Sequence, residues 1–297
     1  MDVKSVLCCP ACDTGKIEDH SCLNCGTTFE DEDGTLLLFP KSKNTTFSVK
    51  YISLEETKAA LLGAFHRPGE VGASDAVYHL DKAHMPYLEN LPKGSTILEV
   101  GCGGGQMRNW AHDLGLQYCG TDISKTRITA DLQKFGGPDF LSDVHNLPLA
   151  DNSFDLVYSA AVTEHLAAPH RAIQEIYRVL KPGSIYLGNC SFMEPWHDES
   201  YFHISPNGAA ALLLQAGFEP VAIWPSEGYS GYKALLSMGN RATKTVRLLG
   251  RVMHGYSRMF FRLKRAIQGA EKYTDGQMLA DFAKTAGAID WVARKPG

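Results

Sequence analysis

The chain has no run of 18 or more apolar residues, about the length a helix needs to cross a bilayer. Met1-Asp2-Val3-Lys4-Ser5 is followed almost at once by cysteines rather than by an apolar run, so no export signal is expected here. The expectation is therefore a cytoplasmic, reducing location, in which the eight cysteines are not read as disulfides. A charge excess is also missing: the formal net charge of −4 says little by itself, since it hides a strong asymmetry between two segments. What the chain does hold is an apolar share of 44%, ordinary for a globular protein with a substantial core. Its 297 residues suit one large domain with a small appendage.

The chain is organised around Ile97-Leu98-Glu99-Val100 running into Gly101-Cys102-Gly103-Gly104-Gly105-Gln106. A β-branched apolar run ends in an acid and a glycine-dense turn. A helical pattern follows over 106–114 with Met107, Trp110, Ala111 and Leu114. Strand, glycine loop and helix in that order let a nucleotide-like ligand lie against bare backbone at a helix N-terminus. Glycine suits such a loop because a Cβ blocks close approach and because these turns often take φ above zero. The dinucleotide fingerprint is one glycine short, since it wants glycine where this chain has Gln106. The pattern Glu99-x-Gly101-x-Gly103-x-Gly105 resembles instead the first motif of the class I S-adenosylmethionine-dependent methyltransferases.

The downstream segments fit that resemblance in order. Residues 117–122 read as a second strand ending in Asp122, a carboxylate placed to accept both hydroxyls of a ribose. Residues 140–144 read as a short third strand with Asp143 where the adenine amino group would lie. Residues 147–158 resemble the family's stretch between the third and fourth strands, and Arg-Val-Leu-Lys-Pro-Gly at 178–183 is a further hallmark, of scaffold rather than chemistry. The resemblance implies a Rossmann-like seven-stranded α/β domain over 96–297. It also implies an S-adenosylmethionine cofactor held by Glu99, Gly101, Gly103, Gly105, Asp122, Ile123, Asp143, Val144 and Ser159. An NAD-type Rossmann domain would use Asp122 the same way; Gln106 and the 143–158 stretch argue against it.

Cys9-Pro10-Ala11-Cys12 and Cys22-Leu23-Asn24-Cys25 are two C-x₂-C knuckles. Four thiolates from two knuckles can close a tetrahedral structural zinc site over Cys9, Cys12, Cys22 and Cys25, whereas a redox C-x₂-C would need no duplicate. Residues 1–40 then form a zinc ribbon, whose folding free energy the metal should supply because so short a segment cannot build a core. Basic residues are scarce there: 1–34 carry eight acids against Lys4 and Lys16, a net of −6. The four-cysteine ribbon beside this domain also resembles zinc-ribbon ribosomal RNA guanine methyltransferases. A ribbon that grips RNA should be basic, so this one reads as a protein-contact or intramolecular module.

Residues 41–95 read as a linker and N-terminal helices over the cofactor site, with helices at 53–65 and 74–91. Tyr78, His79, His84 and Tyr87 could line the substrate mouth or pack on the sheet. The fourth strand leads into Thr163-Glu164-His165-Leu166, matching the Glu-His-Leu of many family members. A fifth strand leads into the polar-aromatic stretch Glu194-Pro195-Trp196-His197-Asp198-Glu199-Ser200-Tyr201-Phe202-His203. Methyl transfer from a sulfonium is an in-line displacement, and a histidine near neutrality suits removal of the acceptor's proton. His197, His203 and His165 are the candidates.

Strands at 217–224 and 286–295 leave about 225–285 as a helical insertion. Within it 241–272 carry nine Lys/Arg against Glu271, a net of +8, on an amphipathic pattern. Such a helix can meet an anionic membrane, attract an anionic substrate, or pack on the domain with its arginines solvated or docked against the acidic ribbon. The last is the expected arrangement. The function expected is methyl transfer to a small or carrier-linked metabolite, a sugar, lipid or natural-product hydroxyl or amine. RNA base methylation and a non-catalytic partner subunit are the alternatives.

Overall fold

The computed structural model describes residues 3–40, 47–69, 80–125, 134–197, 199–238 and 244–297. The N-terminal ribbon holds β1 (Ile17–Glu18), β2 (Ser21–Cys22), β3 (Asp31–Glu32) and β4 (Thr35–Leu37). Then come α1 (Leu54–Ala64), α2 (Met85–Glu89), β5 (Thr96–Val100), α3 (Met107–Asp113), β6 (Gln117–Asp122) and β7 (Phe140–Leu141). The second half runs β8 (Phe154–Ala160), α4 (Pro169–Val179), β9 (Leu180–Ser191), α5 (Pro206–Ala216) and β10 (Glu219–Pro225). Last are α6 (Gly231–Ser237), α7 (Lys244–Gln268), α8 (Asp275–Ala283) and β11 (Ala288–Arg294).

The main sheet is ordered β10-β11-β9-β8-β5-β6-β7-β4-β3. Strands β5 to β9 are mutually parallel, while β11 runs antiparallel between β9 and β10. Continuous burial along Ile97, Leu98 and Val100 suits a strand covered on both faces. The order reverses at β5, with β6 on one side and β8 on the other, so the crevice at their carboxyl ends is a topological switch point.

The seven strands expected from the sequence are all present, and the ribbon adds two more. Leu36 and Leu37 of β4 pair in parallel with Phe140 and Leu141, and Leu38 N–H donates to the Leu141 carbonyl at 2.8 Å. Leu7, Cys9 and Leu38 are buried in the same core as Phe140, Leu149 and Ile176. The appendage read from the sequence is thus welded to the sheet edge.

Ser53 begins α1 with the capping box its sequence predicts, its hydroxyl accepting from Glu56 N–H at 3.1 Å and Glu56 accepting from Ser53 N–H at 2.8 Å. The single helix expected over 74–91 is corrected. Residues 70–79, with Tyr78 and His79, lie outside the described residues. Beyond them, Asp81 caps a 3₁₀ turn at Lys82–His84, and Pro86 then sits in the first turn of α2, where its missing N–H costs nothing. His84 is fully buried 4.8 Å from the Trp224 ring. Its Nε2–H donates to the Trp291 carbonyl (3.2 Å) and its Nδ1 accepts from Asp81 N–H (3.2 Å), so it is a neutral core residue. Burial pulls its pKa down to about 4.

The insertion packs on its neighbours as expected, with Arg247, Arg251 and Arg262 exposed to solvent, but its apolar stripe is not the buried face. Helix α7 sets Gly250 against α6, where an added Cβ would stand only 3.1 Å from Leu236 Cβ and 3.3 Å from the Tyr232 carbonyl oxygen. Arg258 pairs with Glu227, Arg265 with Asp275, and Lys264 with Asp281 (3.2 Å). The arginines that pair with acids thus use those of the insertion and its flank rather than the ribbon. Leu248, Leu249, Val252, Tyr256, Met259, Phe260, Leu263 and Ile267 are left exposed. No described helix is long and apolar enough to cross a membrane.

Because the ribbon shares the core, Leu38→Ala should destabilise the whole domain by about 2–5 kcal/mol, the range for a large-to-small core change. All four tryptophans lie outside the ribbon, at 110, 196, 224 and 291. Urea unfolding followed by tryptophan fluorescence should shift to lower midpoint; an unmoved transition would mean the ribbon folds apart.

Candidate active site

Three alternate residues of the glycine loop, Gly101, Gly103 and Gly105, have φ of 72°, 51° and 75°. These left-handed values need glycine, and a Cβ on Gly101 would also collide with Val162 Cγ2 from the loop after β8. The loop closes on β6 through Gly101 and Cys102 N–H groups donating to the Thr121 carbonyl at 2.9 and 3.0 Å. Gly103 N–H donates to Asp122 Oδ2 (2.9 Å), while Ile123 N–H donates to Asp122 Oδ1 (2.7 Å). Asp122 therefore stands at the strand tip facing the loop, and the Ile123 side chain beside it is 63% exposed.

Asp143 follows the end of β7. Ala168 N–H donates to His145 Nε2 (3.2 Å), so the proton of His145 is on Nδ1, which donates to Asp143 Oδ1 at 2.6 Å. This bond holds the Asp143 carboxyl below its ordinary pKa. Val144 is buried beside it. Ser159 is buried at the end of β8 with its hydroxyl 2.8 Å from Tyr186 Oη, so its side chain points into the core. Glu99 is buried as well, and Tyr118 Oη donates to its Oε2 at 2.5 Å. Burial pushes the Glu99 carboxyl up to about 8, against the pull of that bond and of the Arg108 charge.

The loops after β8 and β9 bring His165, His197 and His203 into one row. The His165 and His197 rings are 5.5 Å apart edge-on, and His197 and His203 are 5.8 Å apart. Tyr201 N–H and Phe202 N–H donate to the Glu164 carbonyl at 2.6 and 3.1 Å, which fixes one loop on the other. Asp198 lies outside the described residues. Behind the histidines, Ser191 Oγ reaches Glu164 Oε1 at 2.6 Å and Glu194 Oε2 at 3.0 Å. One hydroxyl has one proton to give, so a second proton must sit on a carboxyl to satisfy both contacts. Burial pushes Glu194 up to about 7, which makes it the holder.

Glu164, Ser191 and Glu194 form a unit that no local pattern announces, because they meet only when β8 and β9 lie side by side. Gln106 enters the sequence pattern only as a missing glycine. Gln106 Oε1 is buried at the loop without a hydrogen-bond partner among the described residues. At the same sheet edge, beyond β11, a cavity of about 400 Å³ opens between Arg67, Ser226, Tyr229, Arg258 and Phe282. Burial raises the pKa of the Tyr229 phenol in its wall.

In the ribbon, Cys9 Sγ and Cys25 Sγ are 3.7 Å apart, as are Cys12 Sγ and Cys22 Sγ. Four sulfurs about 2.3 Å from one tetrahedral centre stand roughly 3.8 Å apart, so this donor set fits zinc. Ala11 N–H and Asn24 N–H donate to Cys9 Sγ and Cys22 Sγ at 3.3 Å each. Hydrogen bonds from Thr14 and Asn24 lower the Cys12 pKa to about 6. Gly15 leaves the space that Cys22 Sγ occupies.

Comparison with known proteins agrees with this geometry. Residues 98–187 match the family model described as a methyltransferase domain. The tRNA (carboxymethyluridine(34)-5-O)-methyltransferase of Arabidopsis thaliana is 39% identical over 108 residues, 34% of this chain and 25% of that protein. The 2-methyl-6-phytyl-1,4-hydroquinone methyltransferase of Synechocystis sp. is 37% identical over 106 residues, 33% of this chain and 32% of that protein. The malonyl-[acyl-carrier protein] O-methyltransferase of Yersinia pestis is 29% identical over 136 residues, 45% of this chain and 51% of that protein. The chain thus spans about a quarter to a half of the length of these relatives. It carries a class I S-adenosylmethionine-dependent methyltransferase domain.

The buried Glu99 gives the fold a pH signature. Between the ordinary carboxylate value of 4.5 and about 8, an unfolded chain releases this proton while the folded one keeps it. Stability therefore falls as pH rises across that window, by on the order of a few kcal/mol. Glu99→Gln, with no proton to lose, should flatten this part of the profile. Denaturant unfolding at pH 5 and pH 8 measures it, and equal slopes in both proteins would refute a protonated Glu99.

Proposed function

We propose that the protein transfers the methyl group of S-adenosylmethionine to a small or carrier-linked acceptor that has an apolar portion. The observation that carries this reading is the juxtaposition, at one switch point, of the glycine loop, Asp122 and the histidine row. Asp122 would accept the ribose hydroxyls, Ile123 would cover one face of the adenine, and Asp143 would take the adenine amino group through the oxygen that His145 leaves free. Gln106 Oε1, an orphaned acceptor at the loop, fits the cofactor's ammonium group. Zinc in the four-cysteine site would hold the ribbon and take no part in chemistry.

In-line transfer forms a bond from the acceptor to the methyl carbon as the methyl–sulfur bond breaks. The residues here would align the acceptor and remove its proton. His197 and His203 lie beside the exposed side chains of Trp196, Tyr201 and Phe202, which support an acceptor with apolar surface. The outward apolar stripe of α7, edged by Arg247, Arg251 and Arg262, supports presentation of that acceptor at an anionic lipid surface. The hydroquinone and carrier-protein relatives named above, whose acceptors carry a phytyl chain or a carrier, support the same class.

Asp122→Ala should weaken S-adenosylmethionine binding by roughly 10- to 100-fold, the scale of losing charge-assisted hydrogen bonds. Calorimetry reads it directly, and unchanged affinity would remove the ribose assignment. The wild type should also co-sediment with vesicles containing anionic phospholipid. Arg251→Glu with Arg262→Glu should reduce that binding several-fold, and vesicles left unbound by the wild type would retire the lipid surface. Methyl transfer to RNA but not to amphiphilic hydroxyl or amine acceptors would overturn the acceptor class.

A further inference from the structure

We propose that Glu164, His165 and His197 form a binding site for one divalent transition-metal ion at the carboxyl ends of β8 and β9, separate from the cysteine site in the ribbon. Each offers one ligand atom, and the three atoms all lie within 4.8 Å of one another. Donors bound at about 2.1 Å to one ion stand roughly 3.4 Å apart, so side-chain rotation alone closes the set.

The second observation is independent of that distance. Glu164 is 1% exposed, and only one of its oxygens, Oε1, is engaged by Ser191. Its Oε2 and the Nδ1 of His165 are both buried with no hydrogen-bond partner among the described residues. The Cys190 thiol beside Glu164 is at best a weak donor. Unmade bonds at a buried carboxylate oxygen and an adjacent imidazole are costly, and a cation between them satisfies both.

The surroundings are those of a ligand histidine. The Pro195 carbonyl, which can only accept, lies 2.9 Å from His197 Nδ1, so Nδ1 carries the proton and the lone pair is on Nε2. Glu194 Oε2 stands 3.6 Å from the same Nδ1. A carbonyl behind the imidazole fixes its tautomer and raises its basicity toward a metal. The loop is held in place by the Tyr201 and Phe202 N–H groups on the Glu164 carbonyl.

Two imidazoles and one carboxylate favour zinc, iron(II) or cobalt(II) over magnesium or calcium. Three protein ligands leave a coordination position open. Building on the methyl-transfer reading, that position takes an acceptor hydroxyl. Coordination acidifies the hydroxyl and its proton leaves to water. The oxygen lone pair then forms the new C–O bond as the methyl–sulfur bond breaks, and the sulfonium becomes neutral S-adenosylhomocysteine.

The test uses full-length protein loaded with one equivalent of zinc and titrated with Co²⁺ in the absence of cofactor and acceptor. We expect one equivalent of Co²⁺ to bind with weak visible bands and no near-ultraviolet sulfur-to-cobalt absorption. His197→Ala and the gentler His197→Gln, checked for native circular dichroism, should each lose that uptake by at least tenfold in affinity. Uptake absent from the wild type, uptake accompanied by the sulfur-to-cobalt band, or uptake unchanged in a folded His197 variant overturns the site. Metal uptake and S-adenosylmethionine binding are separate readouts, so failure of one leaves the other interpretable.

Discussion

The absence of one methyl group at Gly101 sets the geometry on which the active edge depends. Any side chain there would strike Val162, two residues before Glu164. The loop after β8 can therefore lie directly on the glycine loop, and Glu164 and His165 come with it. The left-handed backbone at Gly101, Gly103 and Gly105 then folds the loop back so that its amides meet Thr121 and Asp122. Steric vacancy, rather than attraction, is what brings the glycine loop and the histidine row to the same crevice.

A second constraint is electrostatic. The acidic ribbon extends the sheet beyond β7, whereas α7 packs on α6 and α8 near β10, at the opposite end. The two charged segments are thus kept apart by the width of the sheet. The basic helix finds counter-charges locally, Arg258 and Arg265 taking Glu227 and Asp275, while Lys125 Nζ donates to the Glu32 backbone carbonyl of the ribbon at 2.5 Å. Further in, Lys295 is almost fully buried, donating to the Leu180 and Tyr177 carbonyls (2.6 and 2.8 Å) where α4 gives way to β9. A cation at a helix C-terminus suits the partial negative charge there.

What was legible in the sequence is what short-range chemistry dictates. The glycine loop, Asp122 at the tip of β6, the two cysteine knuckles and the Ser53 capping box are each written in a short stretch of chain, and the loop backbone, the four-cysteine cluster and the cap form as their spacing predicts. The misreadings share a different cause. A helix over 74–91 looked continuous because the pattern does not reveal that Asp81 caps a new turn and His84 is pulled under Trp224. The stripe on α7 reads the same whether it faces a core or solvent; only the small contact at Gly250 decides it. The Glu164–Ser191–Glu194 unit joins residues about 30 positions apart through strand pairing, which no periodicity within either segment encodes.

The parallel pairing of β4 with β7 also bears on how the chain is made. Residues 36 and 140 are neighbours in the sheet although about a hundred residues separate them. During synthesis the ribbon emerges first, long before the strand it must join. Such a non-local contact forms late and slows folding, because loop closure is needed before the pairing is rewarded. A metal-closed ribbon would hold Leu36, Leu37 and Leu38 in a prepared hairpin through that interval. The same hairpin later covers β7, which would otherwise present open backbone at the sheet's edge to other nascent chains.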